Sequence, residues 1–478
     1  METYMRVLSG LDRELVHEKT IKILEETGVR VETELGRKYL REAGALVDEN
    51  TKIVRIPRIL LEESIQAAPK KFSLGARRLG WDLGMNEGNC SLLIDGSGIE
   101  VIDHRTREKR PSTYTDWLDA TRVIDALDDF GSYWGMVDQS DVEDSLPNTI
   151  LHWIQIFKNF SKHVQDGTST PAESAWLLEI LQTIFGDKET IKKNNPYSFL
   201  VCPQSPLIIE GEYTDAYLAT IGYQIPIAVM PMPLMGGTGP GNMISMAILG
   251  NCEVLAMLCL VQAADPGTPF IYAPALAVMN PRTGMYSSGA IENALLSAAA
   301  TEMSRYYGLP ALSGGGGTDT YVPGIQAGYE RAMSSVIGTL SWPDLLVGPG
   351  LLGGSMILSL EQLMIDVEMF RMSRQAHRGI PTHDEAWLDE IIQKVGPGGN
   401  FLGEKSTVKN IRSGEWLIPR LGVHDTEGSW VRSGRKDILD EAREKIDQIL
   451  KTHKPLPLDD DVRDELDKIY KKAQEQAG

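Results

Sequence analysis

Two glycine-rich segments in the middle of the chain each follow a short apolar run. They read MGGTGPG at residues 235–241 and SGGGGTD at residues 313–319. Glycine allows backbone amides to approach a ligand closely, and successive amides can form a concave binding site for an anion. Neither segment matches the motifs that bind dinucleotides or nucleotide phosphates, so a loop without a ligand stays open as an alternative.

Polar side chains accompany the second glycine segment. Gln326 and Glu330 stand four residues apart in a predicted helix, so their side chains can lie along one face and point back toward the loop that ends at Asp319. An ordinary pair on a helix surface is the alternative. Glu253, within an otherwise apolar helix, must be hydrogen-bonded or face a cavity, because an unpaired buried charge is costly. His163 is a candidate acid or base, with a structural role as its alternative.

Four aromatic residues fall at or just beyond predicted strand ends, namely Tyr133, Trp134, Tyr272 and Tyr321. Core packing accounts for each of them when it is taken alone. Together at one rim they would form a cage for a permanent cation, since aromatic rings attract quaternary ammonium groups by about 0.5–2 kcal/mol per contact.

Composition restricts the classes of function. The 478 residues carry 47 Lys and Arg against 66 Asp and Glu, a net charge of −19 that repels phosphate backbones and anionic lipids. We therefore expect no nucleic-acid or membrane partner. The eight histidines and four cysteines show no metal-ligand spacing and no nucleophile motif, which predicts no metal site and disfavours hydrolysis. Few cysteines and no signal-peptide pattern predict a cytoplasmic protein.

The predicted elements place these residues on an α/β scaffold. Residues 1–110 alternate short helices and strands, which predicts an α/β N-terminal cap. Residues 111–375 alternate helices with apolar strands, a pattern typical of a doubly wound sheet or of a parallel barrel such as the TIM (β/α)8 barrel. Residues 376–478 are expected to complete the barrel and add a helical extension. The apolar run at residues 244–264 contains polar side chains and predicts a buried helix rather than a membrane span.

A longer set of ordered blocks gives the chain a resemblance to a known family. YYGLPALSGGGGTDTYVPGIQAGYER at residues 306–331 resembles the signature region of the trimethylamine methyltransferase family. The resemblance spans nearly the full length and includes KH at 162–163, CPQSP at 202–206, GGTGP at 236–240, NCEVL at 251–255, SLEQLMID at 359–366 and IQKVGPGGNFL at 392–402.

The resemblance implies a fold, a reaction and a partner. Members of the family resemble TIM barrels that pass a methyl group from an amine to the cobalt of a partner corrinoid protein. It implies cob(I)alamin as an acceptor carried by that partner, with no tightly bound cofactor, and we expect a homo-oligomer. In the trimethylamine enzymes the position matching Gly317 carries pyrrolysine. Glycine here points to the non-pyrrolysine branch, whose known members demethylate quaternary amines such as glycine betaine, proline betaine and carnitine.

The chemistry of the leaving group agrees with that branch. A quaternary ammonium already carries its charge and departs as a neutral amine, so the protein has only to aim one methyl group at the acceptor in a water-poor pocket. We expect glycine betaine as substrate and a tertiary amine such as dimethylglycine as product. For its carboxylate, the amides of residues 315–318 or a cation such as Lys162 or Arg282 are candidate partners.

The sequence thus yields a set of expected site residues. Those expected in catalysis are Gly317, Asp319, Gln326 and Glu330, and those expected in substrate binding are Tyr133, Trp134, His163, Tyr272, Gly315, Gly316, Thr318 and Tyr321. Three alternatives stay open. The substrate is another quaternary amine such as carnitine or butyrobetaine, the protein binds betaine without catalysis, or the glycine loops bind a phosphorylated substrate for aldol or lyase chemistry.

Overall fold

The first part of the molecule is built from short helices and strands. The computed structural model describes residues 2–94, 96 and 98–477. In this part the helices are α1 Gly10–Glu26, α2 Glu34–Glu42 and α3 Arg58–Ala67, and the strands are β1 Val29–Val31, β2 Leu46–Asp48, β3 Ile53–Arg55, β4 Phe72–Leu74 and β5 Leu83–Met85. β1 and β2 both pair with β3 in antiparallel fashion, and β4 and β5 form a hairpin.

The central part alternates strands and helices. Its strands are β6 Ser91–Leu93, β7 Glu100–Ile102, β8 Lys109–Pro111, β9 Ser132–Tyr133, β10 His163–Asp166, β11 Tyr197–Val201, β12 Ile208–Ile209, β13 Ile227–Val229, β14 Leu234–Met235, β15 Phe270–Tyr272, β16 Ala277–Val278, β17 Leu312–Gly314, β18 Leu345–Val347, β19 Leu351–Leu352 and β20 Ile357–Ser359. Its helices are α4 Tyr114–Ala126, α5 Leu146–Asn159, α6 Pro171–Phe185, α7 Lys188–Asn194, α8 Glu212–Leu218, α9 Met243–Ala264, α10 Ile291–Tyr307, α11 Ile325–Ser341 and α12 Leu360–Arg378.

Two parallel sheets dominate the central part, and the chain is a mixed α/β protein. One sheet has the strand order β15-β13-β11-β10-β9, and the other has the order β17-β18-β6. Parallel bridges connect the edges of the two sheets, one from Tyr272 to Ala311 and one from Leu92 to Phe130. Because β6 pairs with β18, the parallel strands begin before residue 111.

One buried cluster of side chains belongs to both parallel sheets. Its members from the strands and the residues just after them are Leu93, Leu200, Ala228, Met230, Ile271, Ala273, Leu312, Leu345 and Val347. Leu74 and Met85 of the β4–β5 hairpin join the same cluster. The hairpin also bonds to residues that precede strands, since the amide of Gly75 donates to Asn195 just before β11. It therefore closes the amino-terminal end of the sheets.

Helix α9 is the most buried helix segment near the sheets. It is long and apolar enough to cross a membrane, but 78% of its apolar window is buried inside the protein. It packs against α1, α2, α3 and α10. Its polar side chains have partners: Asn251 donates to Thr20 and Tyr307, and Glu253 accepts from Leu207. It is a core helix, as its sequence predicts.

The last part of the chain divides into a packed portion and an exposed one. Its elements are a short 3-10 turn Asp384–Ala386 and the helices α13 Asp389–Val395, α14 Lys405–Arg412, α15 Glu427–Arg432, α16 Ile438–Thr452 and α17 Asp460–Ala477. α16 packs on α4 and α12, and α17 packs on α5 and α6. By contrast, residues 378–420, here called the excursion, are all described and include no buried residue.

Candidate functional site

A cavity of about 610 Å³ opens at the carboxyl ends of the parallel strands. Its lining comes from the residues that follow those strands, which are Gly96, Trp134, Cys202, Met230, Met232, residues 273–277, residues 313–317 and Gly348. Ligand sites of α/β proteins lie at this end of parallel strands, because the loops that leave the strands converge there. The sequence predicts that the glycine loops lie at this face.

The described lining of the cavity carries no charged side chain. Asp95 and Ser97, the two neighbours of Gly96, lie outside the described residues. The lining includes apolar and polarisable side chains, among them Trp134, Met230 and Met356. It also includes small polar groups from Ser288, Asn293, Ser297, Ser313 and Ser334. The cavity therefore suits a ligand with an apolar or diffusely charged portion and a portion that accepts hydrogen bonds.

The tetraglycine loop is packed too closely for side chains at two of its positions. A Cβ atom on Gly315 would lie 2.4 Å from Leu346 Cδ1, and one on Gly317 would lie 2.2 Å from the carbonyl oxygen of Ser288. Contacts between carbon atoms normally begin near 3.5 Å. Steric fit thus requires glycine at both positions, and the Cα of Gly317 turns its free side toward Ser288.

Backbone amides of the same loop point to a binding role. The amide of Gly315 donates to the carbonyl of Val347 at 2.8 Å. Within the described part of the chain, the amides of Gly316, Gly317 and Thr318 have no acceptor. Gly316 and Gly317 line the cavity, so this loop holds ready-made donors at the cavity wall.

Glu330 on α11 fixes the far side of the loop. Its carboxylate accepts from the Thr318 hydroxyl at 2.5 Å and from the Asp319 amide at 3.0 Å. The Nε2 group of Gln326 donates to the same carboxylate at 2.9 Å. The helical spacing therefore lets Gln326 bond to Glu330, and of the two side chains Glu330 is the one that bonds to the loop.

Asp319 ties the loop to the segment before α10. Its carboxylate accepts from the Ser287 hydroxyl at 2.5 Å, the Ser288 hydroxyl at 3.3 Å and the Gly289 amide at 3.1 Å. Asp319, Gln326 and Glu330 do not line the cavity, and their bonds lie on the side of the loop away from it.

The four aromatic residues expected at the rim do not lie together in the structure. Trp134 lines the cavity, and the indole packs against Gly96. Tyr133 is buried on the opposite side of its strand, against Phe160. Tyr272 is also buried there and donates to Asn251 of α9 at 2.8 Å. Tyr321 is 66% exposed and lies outside the cavity.

The basic residues considered as ligand contacts lie elsewhere. His163 is the first residue of β10, at the amino-terminal end, where its ring bonds to Ser198 at 2.8 Å and Gly75 at 3.0 Å. Burial lowers the pKa of His163 to about 4, so the ring is neutral at pH 7. Lys162 is buried and donates to the carbonyls of Leu127 and Phe130 after α4, at 2.7 and 2.8 Å. Arg282 is exposed outside the cavity.

The turn after β11 is held from below by Glu253. Its carboxylate accepts from the Ser205 hydroxyl at 2.9 Å and from the Leu207 amide at 2.8 Å. Burial raises the pKa of Glu253 to about 7. The same turn carries Cys202 into the cavity wall, and burial raises the pKa of its thiol to about 11, so the sulfur is a neutral, polarisable contact.

Several lining residues were not anticipated from the sequence. These are Cys202, Met230, Met232, Tyr286 and Asn293. Alternation along the strands was the available signal for Cys202 and Met230, since each lies two residues after an inward-facing strand residue. Tyr286 and Asn293 belong to the loop and helix that follow β16, where the sequence has no comparable period.

The other glycine segment contributes little to the cavity. Residues 235–241 form an exposed turn in which Gly236 and Gly239 donate to nearby backbone carbonyls. The Thr238 hydroxyl accepts from the amide of Leu234 at 2.9 Å, and Leu234 itself lines the cavity. The hydrogen bonds of this turn are internal, unlike those of the tetraglycine loop.

Comparison with known proteins identifies the class to which this site belongs. The family model described as trimethylamine methyltransferase (MTTB) matches residues 2–478. The chain therefore belongs to the trimethylamine methyltransferase family, and it is a methyltransferase-family protein of the α/β class.

Individual relatives carry two different names. The chain is 28% identical to "Trimethylamine methyltransferase MttB" of Desulfitobacterium hafniense (strain DSM 10664 / DCB-2), across 98% of this chain and 94% of the relative. It is also 28% identical to "Glycine betaine methyltransferase" of Desulfitobacterium hafniense (strain Y51), across 94% and 92%. A solved structure, the monomethylamine methyltransferase MtmB of Methanosarcina barkeri, matches with a TM-score of 0.48 and 14% identity across 92% of each chain.

Proposed function

We propose that this protein transfers a methyl group from a quaternary amine that carries a carboxylate to the cob(I)alamin of a partner corrinoid protein. Glycine betaine is the favoured substrate, and dimethylglycine is the corresponding tertiary amine product. The observation that carries the proposal is the tetraglycine loop, which presents free amides to the cavity and has no room for a side chain at Gly317.

The same proposal includes a (β/α)8 barrel with an α/β N-terminal cap and a C-terminal helical extension. It is supported by the bridges from Tyr272 to Ala311 and from Leu92 to Phe130, which join the edges of the two parallel sheets. The shared buried cluster from both sheets supports it as well. Such a barrel gathers its functional loops at one face, where the cavity lies.

The apolar side chains of the cavity lining suit the cationic end of the substrate. A quaternary ammonium donates no conventional hydrogen bond, so it is held by shape, polarisable sulfur atoms and aromatic faces. Trp134 and Tyr286 supply rings at the cavity, and Met230 and Met232 supply thioethers. Weak ground-state binding of the cation favours turnover, because the positive charge leaves the nitrogen in the transition state.

The loop amides suit the anionic end. Gly316 and Gly317 lie on the cavity wall with amides that have no acceptor among the described residues. A carboxylate bound there would satisfy them with charge-assisted hydrogen bonds. Glu330 and Asp319 would hold the loop in place from behind, which fixes the direction in which the N-methyl group points.

In this proposal the methyl acceptor is a second substrate, and another protein delivers it. The described cavity lining offers no imidazole or carboxylate as a cobalt ligand, which fits an acceptor that brings its own coordination. Reduced cobalt supplies the nucleophile, and this chain aligns the carbon and excludes water. Met232, Tyr286 and Met356 are partly exposed at the mouth, where the acceptor would approach.

The test is a methyl-transfer assay with purified protein, cob(I)alamin and a panel of betaines, carnitine, choline and trimethylamine. We expect the visible spectrum of the cobalamin to change to that of its methylated form with glycine betaine. A response to trimethylamine alone would overturn the substrate, and activity without any cobalamin would favour the lyase or aldolase alternative. Tight betaine binding by calorimetry with no methyl transfer would indicate a binding protein.

A further inference from the structure

The excursion is ordered without a core of its own. Its 3-10 turn, α13 and α14 contain no buried residue, and α13 and α14 are seven and eight residues long. Helices of that length are marginal in water unless they pack an apolar face against something else. Ordering each residue costs about 1–2 kcal/mol of conformational entropy, and no fully buried side chain of the excursion offsets that cost.

Only a few contacts attach the excursion to the rest of the molecule, and they lie near its end. The Nε2 group of Gln375 donates to the carbonyl of Glu415 at 2.8 Å, and the amide of Arg420 donates to Glu368 at 3.0 Å. Within it, Lys394 at the end of α13 pairs with Glu404, just before α14, at 2.8 Å. The two helices thus form one projecting unit.

Large apolar side chains are exposed along the whole excursion. The most exposed are Ile380 at 80%, Trp387 at 68%, Ile392 at 62%, Leu402 at 83%, Trp416 at 57% and Ile418 at 65%. At roughly 150–250 Å² for a whole large apolar residue, these fractions sum to on the order of 900 Å². The largest apolar patch on a typical monomer is about 300–600 Å², whereas a standard interface buries about 800 Å² on each partner.

Charge is distributed unevenly along the excursion. The first block, residues 384–390, contains Asp384, Glu385, Asp389 and Glu390 and has no basic residue. The second block, α14, contains Lys405, Lys409 and Arg412 and has no acidic residue. Two copies of such a surface can pair about a twofold axis. The acidic block of each copy then faces the basic block of the other.

We propose that the excursion is a self-association surface that docks on the excursion of a second copy of this chain. The apolar side chains supply the buried area, and the acidic and basic blocks set the orientation. The inference concerns assembly and does not depend on the methyl-transfer reaction, so its failure leaves the proposed function intact.

The test is the mass of the full-length protein in solution, measured by sedimentation velocity and light scattering at micromolar concentration. We expect wild type to be a dimer or a larger assembly built from dimers. A variant carrying both Trp387→Glu and Leu402→Glu should show dimer dissociation constants raised at least 100-fold, with unchanged circular dichroism. Leu79→Glu is the matched control, because Leu79 is 97% exposed in the β4–β5 hairpin.

Charge reversal separates a twofold docking from nonspecific adhesion. Lys405→Glu with Lys409→Glu should weaken self-association about tenfold. Adding Asp384→Lys and Glu385→Lys to that variant should restore it, and salt should reduce the effect. A monomeric wild type, an unchanged mass after Trp387→Glu and Leu402→Glu, or no restoration by the combined reversal would each overturn the proposal. The proposal would also be overturned if the measured mass exceeded that of the monomer only after the corrinoid partner was added.

Discussion

The two ends of the parallel strands are built in opposite ways. At the amino-terminal end, the β4–β5 hairpin fills the opening, and buried polar groups such as His163 and Lys162 are bonded to backbone carbonyls. At the carboxyl end, small residues surround a cavity, and the amides of Gly316 and Gly317 have no acceptor in the described part of the chain.

The difference indicates that one end of the strands stabilises the fold and that the other end is available for a ligand. At the closed end, the bonds of His163 and Lys162 connect the strands to the hairpin and to the end of α4, and each buried bond would be costly to leave unmade. Unsatisfied donors at the open end keep their capacity for a ligand. Substitutions at the closed end should therefore reduce stability, and substitutions at the open end should reduce methyl transfer.

The largest expected effect is at the open end, from Gly317→Leu. The new side chain must displace Ser288, so the loop amides move and methyl transfer should fall at least ~100-fold. The unfolding free energy should fall by only about 1–3 kcal/mol. Gly241→Ala is the control, since a Cβ there meets no atom within 4 Å. Normal glycine betaine turnover by Gly317→Leu would show that the site lies elsewhere.

At the closed end, Lys162→Met should leave the carbonyl of Phe130 without a donor and remove the shorter of the two bonds to the carbonyl of Leu127. We expect the unfolding free energy to drop by about 3 kcal/mol, with methyl transfer per folded molecule unchanged. Denaturant titration gives the first quantity, and the cobalamin assay gives the second. Lys71→Met, at an exposed lysine near the same hairpin, serves as the comparison. A loss of turnover with intact stability would contradict the contrast between the ends.

The third effect tests a positioning role. Glu330→Gln replaces a carboxylate that accepts from Thr318, Asp319 and Gln326 with an amide that brings two donors of its own. Methyl transfer should decrease about tenfold, chiefly in kcat, because the loop loses its support while its amides remain. Tyr329→Phe, at an exposed position of the same helix, should have no effect. Loss of substrate binding without loss of kcat would contradict a role behind the loop.

The smallest expected effect is a pH dependence of the unfolding free energy, caused by Glu253 beneath the turn that carries Cys202. Burial raises the pKa of Glu253 to about 7, above its value of about 4.3 in an unfolded chain. Between these values the folded state binds more protons than the unfolded state, so stability should fall as pH rises from 5 to 7. Glu253→Gln should flatten that slope in urea titrations at several pH values. Equal slopes in both proteins would show that Glu253 does not titrate in this range.

Short apolar runs bounded by glycine or proline predict strands at residues 131–137, 198–202, 227–231, 269–275, 311–314 and 345–347. These six ranges overlap β9, β11, β13, β15, β17 and β18. The strand β10 was missed, since His163 and Asp166 make it unusually polar. His163 bonds to Gly75 in the hairpin and Asp166 pairs with His152 of α5, and both partners are set by the tertiary fold and leave no local period in the sequence.

Of the four aromatic residues expected at the rim, the structure places Trp134 in the cavity lining. Tyr133 and Trp134 are consecutive in the chain, and successive side chains point to opposite faces of a strand, so both could not line one cavity. Tyr272 takes the outward face for the same reason, with Ala273 inward. Applying the two-residue period would have retained Trp134 and discarded the two tyrosines.

The contact between Gly317 and Ser288 also restricts how this site can change over evolutionary time. A single codon change at position 317 to any residue with a Cβ atom places that atom 2.2 Å from a backbone oxygen. A long side chain there requires a shift of the backbone around residue 288. We therefore expect chains with a large residue at this position to differ from this one around residue 288 as well.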